Sequence, residues 1–102
     1  MTGQTGELTV FGRFHARAGH EDALAEAVRE VVAASRKEPG CHAIAAYRST
    51  RDPQLLFVHS RWVDEAAFDL HADLPHTVRF LERARSLIDH ELDVTRARAL
   101  PA

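Results

Sequence analysis

The sequence predicts an α+β domain: a four-stranded antiparallel sheet with helices on one face. Four segments alternate between apolar and polar residues as strands do, and helical spacing occurs between them, in the order βαββααβ. The third strand segment is apolar on both of its faces, so each face needs a cover. At 102 residues the chain is long enough for one hydrophobic core and too short for two.

The first strand and the first helix are each predicted by their own period. Residues 7–17 alternate, which places an apolar set on one face: Leu8, Val10, Gly12, Phe14 and Ala16. Residues 20–37 carry apolar residues at helical spacing: Leu24, Ala27, Val28 and Val31. Glu38-Pro39-Gly40 ends this helix, because proline cannot continue it and glycine adopts the angles of a turn.

A hairpin is predicted in the middle of the chain. Residues 42–51 and 54–63 are both strand-like, and Asp52-Pro53 between them has the chemistry of a turn. The second strand presents Leu56, Val58 and Trp62 on one side and Leu55, Phe57 and Val63 on the other. We expect the helices to cover the first of these sides and to leave the second bare.

The second half of the chain is predicted to hold a split helix and a last strand. Asp64 is the expected N-cap of a short helix through residue 72, and Pro75 the expected first residue of a further helix. The apolar stripe of that helix is expected to be Val78, Leu81, Ala84 and Ile88. In residues 91–100, the side chains expected to face inward are Leu92, Val94 and Leu100. Right-handed crossovers would join these elements into one ferredoxin-like domain over residues 7–100, after a flexible N-terminus at residues 1–6.

The bare face of the sheet predicts a homodimer. Its large apolar side chains would be Phe11, Tyr47, Leu55 and Phe57. An exposed apolar surface of this size is typical of an association surface, and two copies can bury it against each other. We therefore expect two copies of the chain to pack sheet to sheet.

Charge and composition argue against several classes of partner. The formal net charge is -2, which gives no reason to expect a nucleic acid or an anionic membrane as partner. No apolar run approaches the roughly 18 residues of a membrane span, and the first residues lack a signal-peptide pattern. Cys41 is the only cysteine, so no internal disulfide can form. We expect a cytoplasmic protein.

Trp62, His71 and His76 form the strongest candidate site in the sequence. Trp62 ends a central strand on the helix-covered face, where it either fills the core or walls a cavity. His71 follows Phe68 by three residues, on the apolar side of its helix, and is either a general base or a histidine at the edge of the core. His76, beside Pro75, is either a donor to the pocket or a surface group.

Other kinds of site find less support. His71 and His76 are five residues apart across a proline, and no HExxH or His/Cys ligand spacing is present, so no metal site is predicted. No GxGxxG, P-loop or GxSxG sequence occurs, which leaves no support for nucleotide binding or a serine triad. Arg79 and Arg83 are candidate anion binders. Arg79 would stabilise a phenolate if its helix turn opens toward Trp62.

Several short motifs together resemble the antibiotic biosynthesis monooxygenase family. In chain order they are residues 14–19, Glu38-Pro39-Gly40-Cys41, Tyr47-Arg48, Asp52-Pro53, residues 57–62, Asp64-Glu65-Ala66, and His71 through Pro75-His76. The resemblance covers nearly the whole chain. It implies a dimeric α+β barrel made of two ferredoxin-like domains and, for some members, oxidation of anthrones or quinols by O2 without a cofactor.

The resemblance also implies roles for single residues. Trp62 matches the family's strand-end tryptophan and Tyr47 its second-strand tyrosine, which line the pocket in anthrone-oxidising members. Val58 stands where those members have an asparagine, and Ser60 stands where other relatives have a glutamate. The nearest counterparts of their last-helix arginine are Arg79 and Arg83.

The resulting hypothesis is a cofactor-independent monooxygenase. His71, with His76 as second choice, would take a proton from a small electron-rich aromatic of anthrone or quinol type, and the resulting anion would reduce O2. The catalytic candidates are then His71, Trp62 and His76, and the substrate-binding candidates are Tyr47, Val58, Ser60, Phe68, Arg79 and Arg83. No metal or other cofactor is expected. The alternatives are a dimer of the same fold that binds or isomerises a small metabolite without consuming oxygen, and a purely structural dimer module.

Overall fold

The computed structural model describes residues 6–101 and has the predicted βαββααβ order. Its strands are β1 (Leu8–His15), β2 (Cys41–Arg48), β3 (Leu55–Trp62) and β4 (Asp93–Ala97). Its helices are α1 (Glu21–Ser35), α2 (Glu65–Asp73) and α3 (Pro75–Leu87). All of the predicted flexible N-terminus except Gly6 lies outside the described residues, so that expectation stays a prediction.

The strands form one antiparallel sheet in the order β2-β3-β1-β4, which confirms the predicted ferredoxin-like arrangement. β1 and β3 are the central strands, and Leu8 lies opposite Trp62 at one end of their pairing. The even-numbered side chains of both strands face the helices, and they include the buried residues Leu8, Val10, Phe14, Leu56 and Trp62. The main core therefore lies between this face and the helices.

Local sequence signals set the limits of the helices as expected. The predicted stripe of α1 is confirmed, because Leu24, Ala27, Val28 and Val31 are all buried. Asp64 caps α2, where its carboxylate accepts a 2.9 Å hydrogen bond from the backbone N–H of Ala67. Pro75 begins α3, where its missing N–H has no intrahelical partner to lose.

The turn between α1 and β2 packs closely on α2. A Cβ atom at Gly40 would lie only 2.5 Å from the Cβ of Ala67, nearer than two nonbonded carbon atoms approach. A residue without a side chain is therefore needed at position 40. This close approach holds the turn that contains Glu38 against α2.

The predicted apolar stripe of α3 is wrong only at Val78. Ala84 and Ile88 are buried, and Leu81 is partly buried against the core. The buried residues of the helix are Thr77, Phe80 and Ala84, whereas Val78 is 42% exposed. Phe80 meets Phe14 of β1 edge to face, with ring centroids 5.5 Å apart. Burying this large ring contributes more than burying Val78, so the helix turns Phe80 toward the sheet.

For the last strand, two of the three predicted inward side chains, Leu92 and Leu100, are wrong. β4 is shorter than expected, and Leu92, Val94 and Leu100 are 37%, 40% and 91% exposed. Val94 does lie on the helix side of the sheet, opposite Gly12. It remains partly exposed because β4 is an edge strand that the helices cover only in part.

The opposite face of the sheet bears exposed aromatic residues, as the sequence predicts. Phe11 is 52%, Tyr47 55% and Phe57 37% exposed, and Tyr47 lies opposite Phe57 in the β2–β3 pairing. The ring of Phe11 packs against His59, with centroids 5.2 Å apart. We call this surface the open face. Within residues 6–101, no helix has the length and apolar character needed to span a membrane.

Candidate functional site

Three side chains from separate elements meet at a single carboxylate oxygen. Nδ1 of His71 lies 2.8 Å, and Nε2 of His76 lies 2.7 Å, from Oε2 of Glu38. The hydroxyl oxygen of Thr77 lies 3.3 Å from Nδ1 of His71. The side chains of Glu38 and His71 are each 10% exposed, and that of His76 is 22% exposed. We call Glu38, His71 and His76 the carboxylate–histidine cluster.

The local structure explains why these residues meet. Glu38 lies in the turn after α1 that Gly40 allows to approach α2, and His71 lies in the last turn of α2. His76 is the second residue of α3, which begins at Pro75 only two residues after α2 ends. The two helices therefore place the histidine rings side by side, with centroids 6.0 Å apart.

The surroundings of His71 define its protonation. Burial lowers its pKa below the ordinary value and outweighs the opposing effect of the Glu38 hydrogen bond, so the imidazole is neutral at pH 7. A carboxylate accepts hydrogen bonds and does not donate them, so the proton of the neutral ring lies on Nδ1 and the lone pair on Nε2. Among the described residues, Nε2 has no hydrogen-bond partner. It is therefore free to accept a proton.

His71 borders a small cavity between the helices and the sheet. The cavity has a volume of about 80 Å³ and largely apolar walls. Its lining includes Val10, Val58, Ser60 and Val94 from the strands, and Phe68, His71, Thr77 and Phe80 from the helices. The exposed position of Val94 places an opening beside β4. Pockets for drug-sized ligands measure roughly 300 to 1,000 Å³, so this cavity suits only a small ligand unless it expands.

Trp62 lies behind the wall of this cavity. It is completely buried and packs with Leu8 and Val10, so the structure supports the core interpretation of this residue. Its indole N–H donates a 2.9 Å hydrogen bond to the hydroxyl of Ser60, and its ring centroid lies 4.5 Å from that of His71. Ser60 faces the cavity, and its own hydroxyl proton remains available for a ligand.

Phe68 is fixed at the cavity by contacts with two strands of the sheet. Its ring packs edge to face with Trp62, at a centroid separation of 5.5 Å. The guanidinium carbon of Arg96 lies over the Phe68 ring, 4.9 Å from its centroid. Arg96 is itself held by Glu65 at 3.2 Å and Asp69 at 2.8 Å. Phe68 is thus a well-positioned apolar wall beside His71.

Three predicted substrate-binding residues lie elsewhere. Tyr47 belongs to the open face and to a shallow depression beside α1, away from His71. Arg79 and Arg83 line a separate groove between α1 and α3, where Arg83 pairs with Glu30 at 2.7 Å. The exposed face of α3 carries both arginines, so neither reaches the cavity. The expectation that Arg79 opens toward Trp62 is therefore not met. Val58, Ser60 and Phe68 do line the cavity with His71.

Sequence reasoning missed Glu38, the residue that joins the two histidines. The sequence predicts only a turn at Glu38, because no local pattern links this residue to His71, which lies 33 positions further along the chain. One carboxylate oxygen of Glu38 and one ring nitrogen from each of His71 and His76 lie within 4.8 Å of one another, a spacing that could hold a metal ion. The histidine spacing alone could not reveal this, because the third donor comes from another element.

Comparison with known proteins identifies relatives by sequence and by fold. The family model described as antibiotic biosynthesis monooxygenase matches residues 8–83. No curated protein matches the chain. Rv0793 from Mycobacterium tuberculosis is similar in structure, with a TM-score of 0.89 and 24% identity over 95% of this chain and 98% of that one.

Two further solved structures are similar over almost their whole length. PA3566 from Pseudomonas aeruginosa has a TM-score of 0.88 and 28% identity, over 96% of this chain and 98% of that chain. A structure described as an antibiotic biosynthesis monooxygenase has a TM-score of 0.87 and 26% identity, over 92% of this chain and 99% of that chain.

Proposed function

Because this chain belongs to the antibiotic biosynthesis monooxygenase family, we propose that it is a cofactor-independent monooxygenase of a small electron-rich aromatic. The observation that carries this proposal is the hydrogen bond between His71 and the carboxylate of Glu38 at the edge of an apolar cavity. The cavity volume of about 80 Å³ favours a single-ring phenol or quinol over a three-ring anthrone.

His71 is the proposed general base. Glu38 holds its Nδ1–H, so the free Nε2 is directed to accept the phenolic proton, and the carboxylate stabilises the imidazolium that forms. The apolar walls strengthen both effects, because charges interact more strongly where water is excluded. His76 shares the carboxylate with His71 and is proposed to support its orientation; it is not the proposed base.

The redox step is proposed to use the substrate's own electrons. Loss of the hydroxyl proton to His71 gives a phenolate, which transfers one electron to O2 to form superoxide and a phenoxyl radical. The two radicals combine at a ring carbon that carries hydrogen, and the peroxide takes the proton back from His71. Loss of that carbon's proton and of hydroxide then gives a quinone and one water, so one phenol and one O2 are consumed.

Ser60 is the proposed donor to the developing anion. Its hydroxyl accepts from Trp62 and can donate its own proton into the cavity. Phe68 and Val58 are proposed to contact the aromatic ring of the substrate. This assignment leaves Trp62 as a residue that positions Ser60.

Oxygen uptake tests the proposal. We expect a panel of single-ring quinols to show protein-dependent uptake above autoxidation, with chelator present throughout. His71→Asn should lower the rate by about 10² to 10⁴-fold if the histidine is the general base. His42→Asn is the matched control, because His42 also contacts a carboxylate, Glu7 at 2.6 Å, but is exposed and does not line the cavity. An unchanged rate in the His71 variant would remove it from the mechanism.

The alternative is a small-metabolite binder or an isomerase-like protein that consumes no oxygen. One observation favours it: the described lining of the cavity contains no lysine or arginine that would stabilise a phenolate or superoxide. A base paired with a carboxylate can also move a proton between two carbons. Binding of a quinol without oxygen uptake, together with exchange of substrate hydrogen for deuterium that needs His71, would favour this function over the first.

A homodimer is also proposed, formed through the open face. Phe11, Tyr47 and Phe57 are exposed there, and a second copy would cover them. This face lies on the side of the sheet opposite His71, so each copy would hold its own cavity. The mass of the protein in solution, measured by light scattering, tests the proposal, and a monomer at micromolar concentration would contradict it.

A further inference from the structure

We propose that the carboxylate–histidine cluster binds one divalent transition-metal ion of the zinc type. Glu38, His71 and His76 each present one donor atom, and these atoms lie within 4.8 Å of one another. The sequence predicts no metal site, because the two histidines alone lack the spacing of metal ligands. The fold adds the carboxylate from a turn that is distant in the sequence.

The donor set and its spacing suit this class of ion. Two imidazole nitrogens and one carboxylate oxygen are a common set of protein ligands for zinc, with the remaining position left to water or a ligand. Ligands about 2.0–2.1 Å from a tetrahedral zinc ion lie roughly 3.3–3.4 Å apart. The two nitrogens of the cluster lie 2.8 Å and 2.7 Å from the Glu38 oxygen. Each of these two separations must lengthen by roughly 0.6 Å to admit a tetrahedral ion, which rotation of the side chains can supply.

The charge of the cluster also favours a cation. The Glu38 side chain is only 10% exposed, and within residues 6–101 its ion-pair partners are the two histidines, with no lysine or arginine. The carboxylate charge therefore has no permanently charged ion-pair partner among the described residues. A divalent ion that replaces the two shared protons compensates that charge and keeps all three donor atoms satisfied.

The other histidine–carboxylate contacts of the chain lack these properties. His15 contacts Asp52 and Asp89, and His42 contacts Glu7, but each of these groups has one histidine ring on the carboxylate. Their carboxylates are also 36% to 42% exposed, against 10% for Glu38. Among the described residues, only the carboxylate–histidine cluster brings three such donors together.

Metal binding would switch His71 between two tautomers. Coordination through Nδ1 moves the proton of the neutral ring to Nε2, the nitrogen that otherwise accepts the substrate proton. The metal-bound protein would then lack its base, so the ion acts as an inhibitor and the metal-free protein is the active form. This consequence rests on the proposed function, whereas binding of the ion does not.

Titration with Co²⁺ tests the site, because bound Co²⁺ absorbs visible light and competes with Zn²⁺. The whole chain is stripped with chelator, dialysed, and titrated alongside His76→Asn, Glu38→Gln and the control His42→Asn. We expect one Co²⁺ per chain, displaced by Zn²⁺, with affinity at least 10 to 100-fold weaker in the first two variants, since even outer-shell changes cost that much. The control should bind as the unmodified chain does.

Several results would overturn the site. They are an absence of saturable binding, binding that His76→Asn and Glu38→Gln leave unchanged, or an equal loss in His42→Asn. Far-UV circular dichroism of each variant checks folding; His76, the most exposed of the three ligands, is the least disruptive to replace. If it still unfolds, Glu38→Gln decides, because the amide keeps the shape of the carboxylate.

Oxygen uptake by the metal-free protein and by the Zn²⁺-bound protein tests whether the ion inhibits the enzyme through the tautomer switch. Uptake that falls as the ion binds supports the tautomer switch, and unchanged uptake at full occupancy overturns it. Uptake that is absent in both forms, with Co²⁺ binding intact, counts against the proposed oxygenase and leaves the metal site standing.

Discussion

The indole N–H of Trp62 donates a 2.9 Å hydrogen bond to the hydroxyl of Ser60, two residues earlier on the same face of β3. Both residues are buried, and only Ser60 lines the cavity beside His71. The tryptophan therefore affects the cavity through the serine, whose hydroxyl oxygen it holds in place.

Ser60→Ala should destabilise the protein. The change leaves the buried indole N–H of Trp62 without an acceptor, which costs about 1–3 kcal/mol in the free energy of unfolding. Urea denaturation measures the loss. In Trp62→Phe the donor is already absent, so adding Ser60→Ala should then cost clearly less than it does alone. Equal costs in both backgrounds would show that the hydrogen bond contributes nothing to stability.

Gly40→Ala should destabilise the protein by forcing the α1–β2 turn away from α2. The new methyl group would lie 2.5 Å from the Cβ of Ala67, and overpacking of this kind costs about 1–3 kcal/mol. Removing the opposing methyl in Gly40→Ala/Ala67→Gly should recover part of that cost, after allowance for about 1 kcal/mol of lost helix propensity, measured in Ala67→Gly alone. If the double variant loses as much stability as the two single variants together, a steric contact between positions 40 and 67 is contradicted.

The fold could be predicted from the sequence where one period dominated. The alternation of β1 and the helical stripe of α1 each rest on several large apolar residues, and both faces were assigned correctly. In α3 the prediction failed at Val78, because Thr77 counts as polar, whereas the contact of Phe80 with Phe14 sets the rotation of the helix. The burial predicted for the side chains of the last strand was wrong, because alternation cannot tell an uncovered edge strand from a covered one.

The candidate site was predicted only in part. His71 stood out because it is a polar residue on an apolar helix side, and Ser60 and Val58 share the buried face of β3. Glu38 could not be found, because its contact with His71 depends on how a turn packs on a helix 33 positions along the chain. Arg79 was misplaced because the rotation of α3 was not known.

The stability contributed by His15 should depend on pH. Its ring contacts Asp89 at 2.7 Å and Asp52 at 3.2 Å, joining β1 to the segment after α3 and to the β2–β3 turn. The hydrogen bond to Asp89 raises the pKa of His15 above 6.5, and the same bond lowers the pKa of Asp89 below 3.8. The histidine contribution is complete below pH 6.5 and is lost as pH rises through the raised value. The Asp89 contribution is present above 3.8 and is lost as pH falls through the lowered value.

Thermal denaturation of Asp89→Asn across pH measures this interaction. The melting temperature should fall most, relative to the unmodified chain, near pH 5 to 6, between the ordinary values of 3.8 and 6.5. The difference should shrink toward both ends of the range. Asp73→Asn is the control, because it removes the same charge from an exposed position. A difference that does not change with pH would exclude the ion pair as its cause.

Phe57→Lys should convert the proposed dimer into a monomer. Phe57 is 37% exposed at the open face beside Tyr47, and a lysine there would place two like charges in the interface of a symmetric pair. Val78→Lys is the matched control: Val78 is similarly exposed, at 42%, but lies on α3 across the sheet. Light scattering should give the mass of one chain for the first variant and of two chains for the second.

The reverse result would place the interface on the helix side of the sheet. The same variants also separate assembly from the site, because Glu38, His71 and His76 all come from one chain. The Phe57→Lys monomer should therefore bind Co²⁺ with unchanged affinity. If binding disappears together with the dimer, the open face supports the cluster through the sheet, and the metal site belongs to the assembled pair and not to the single chain.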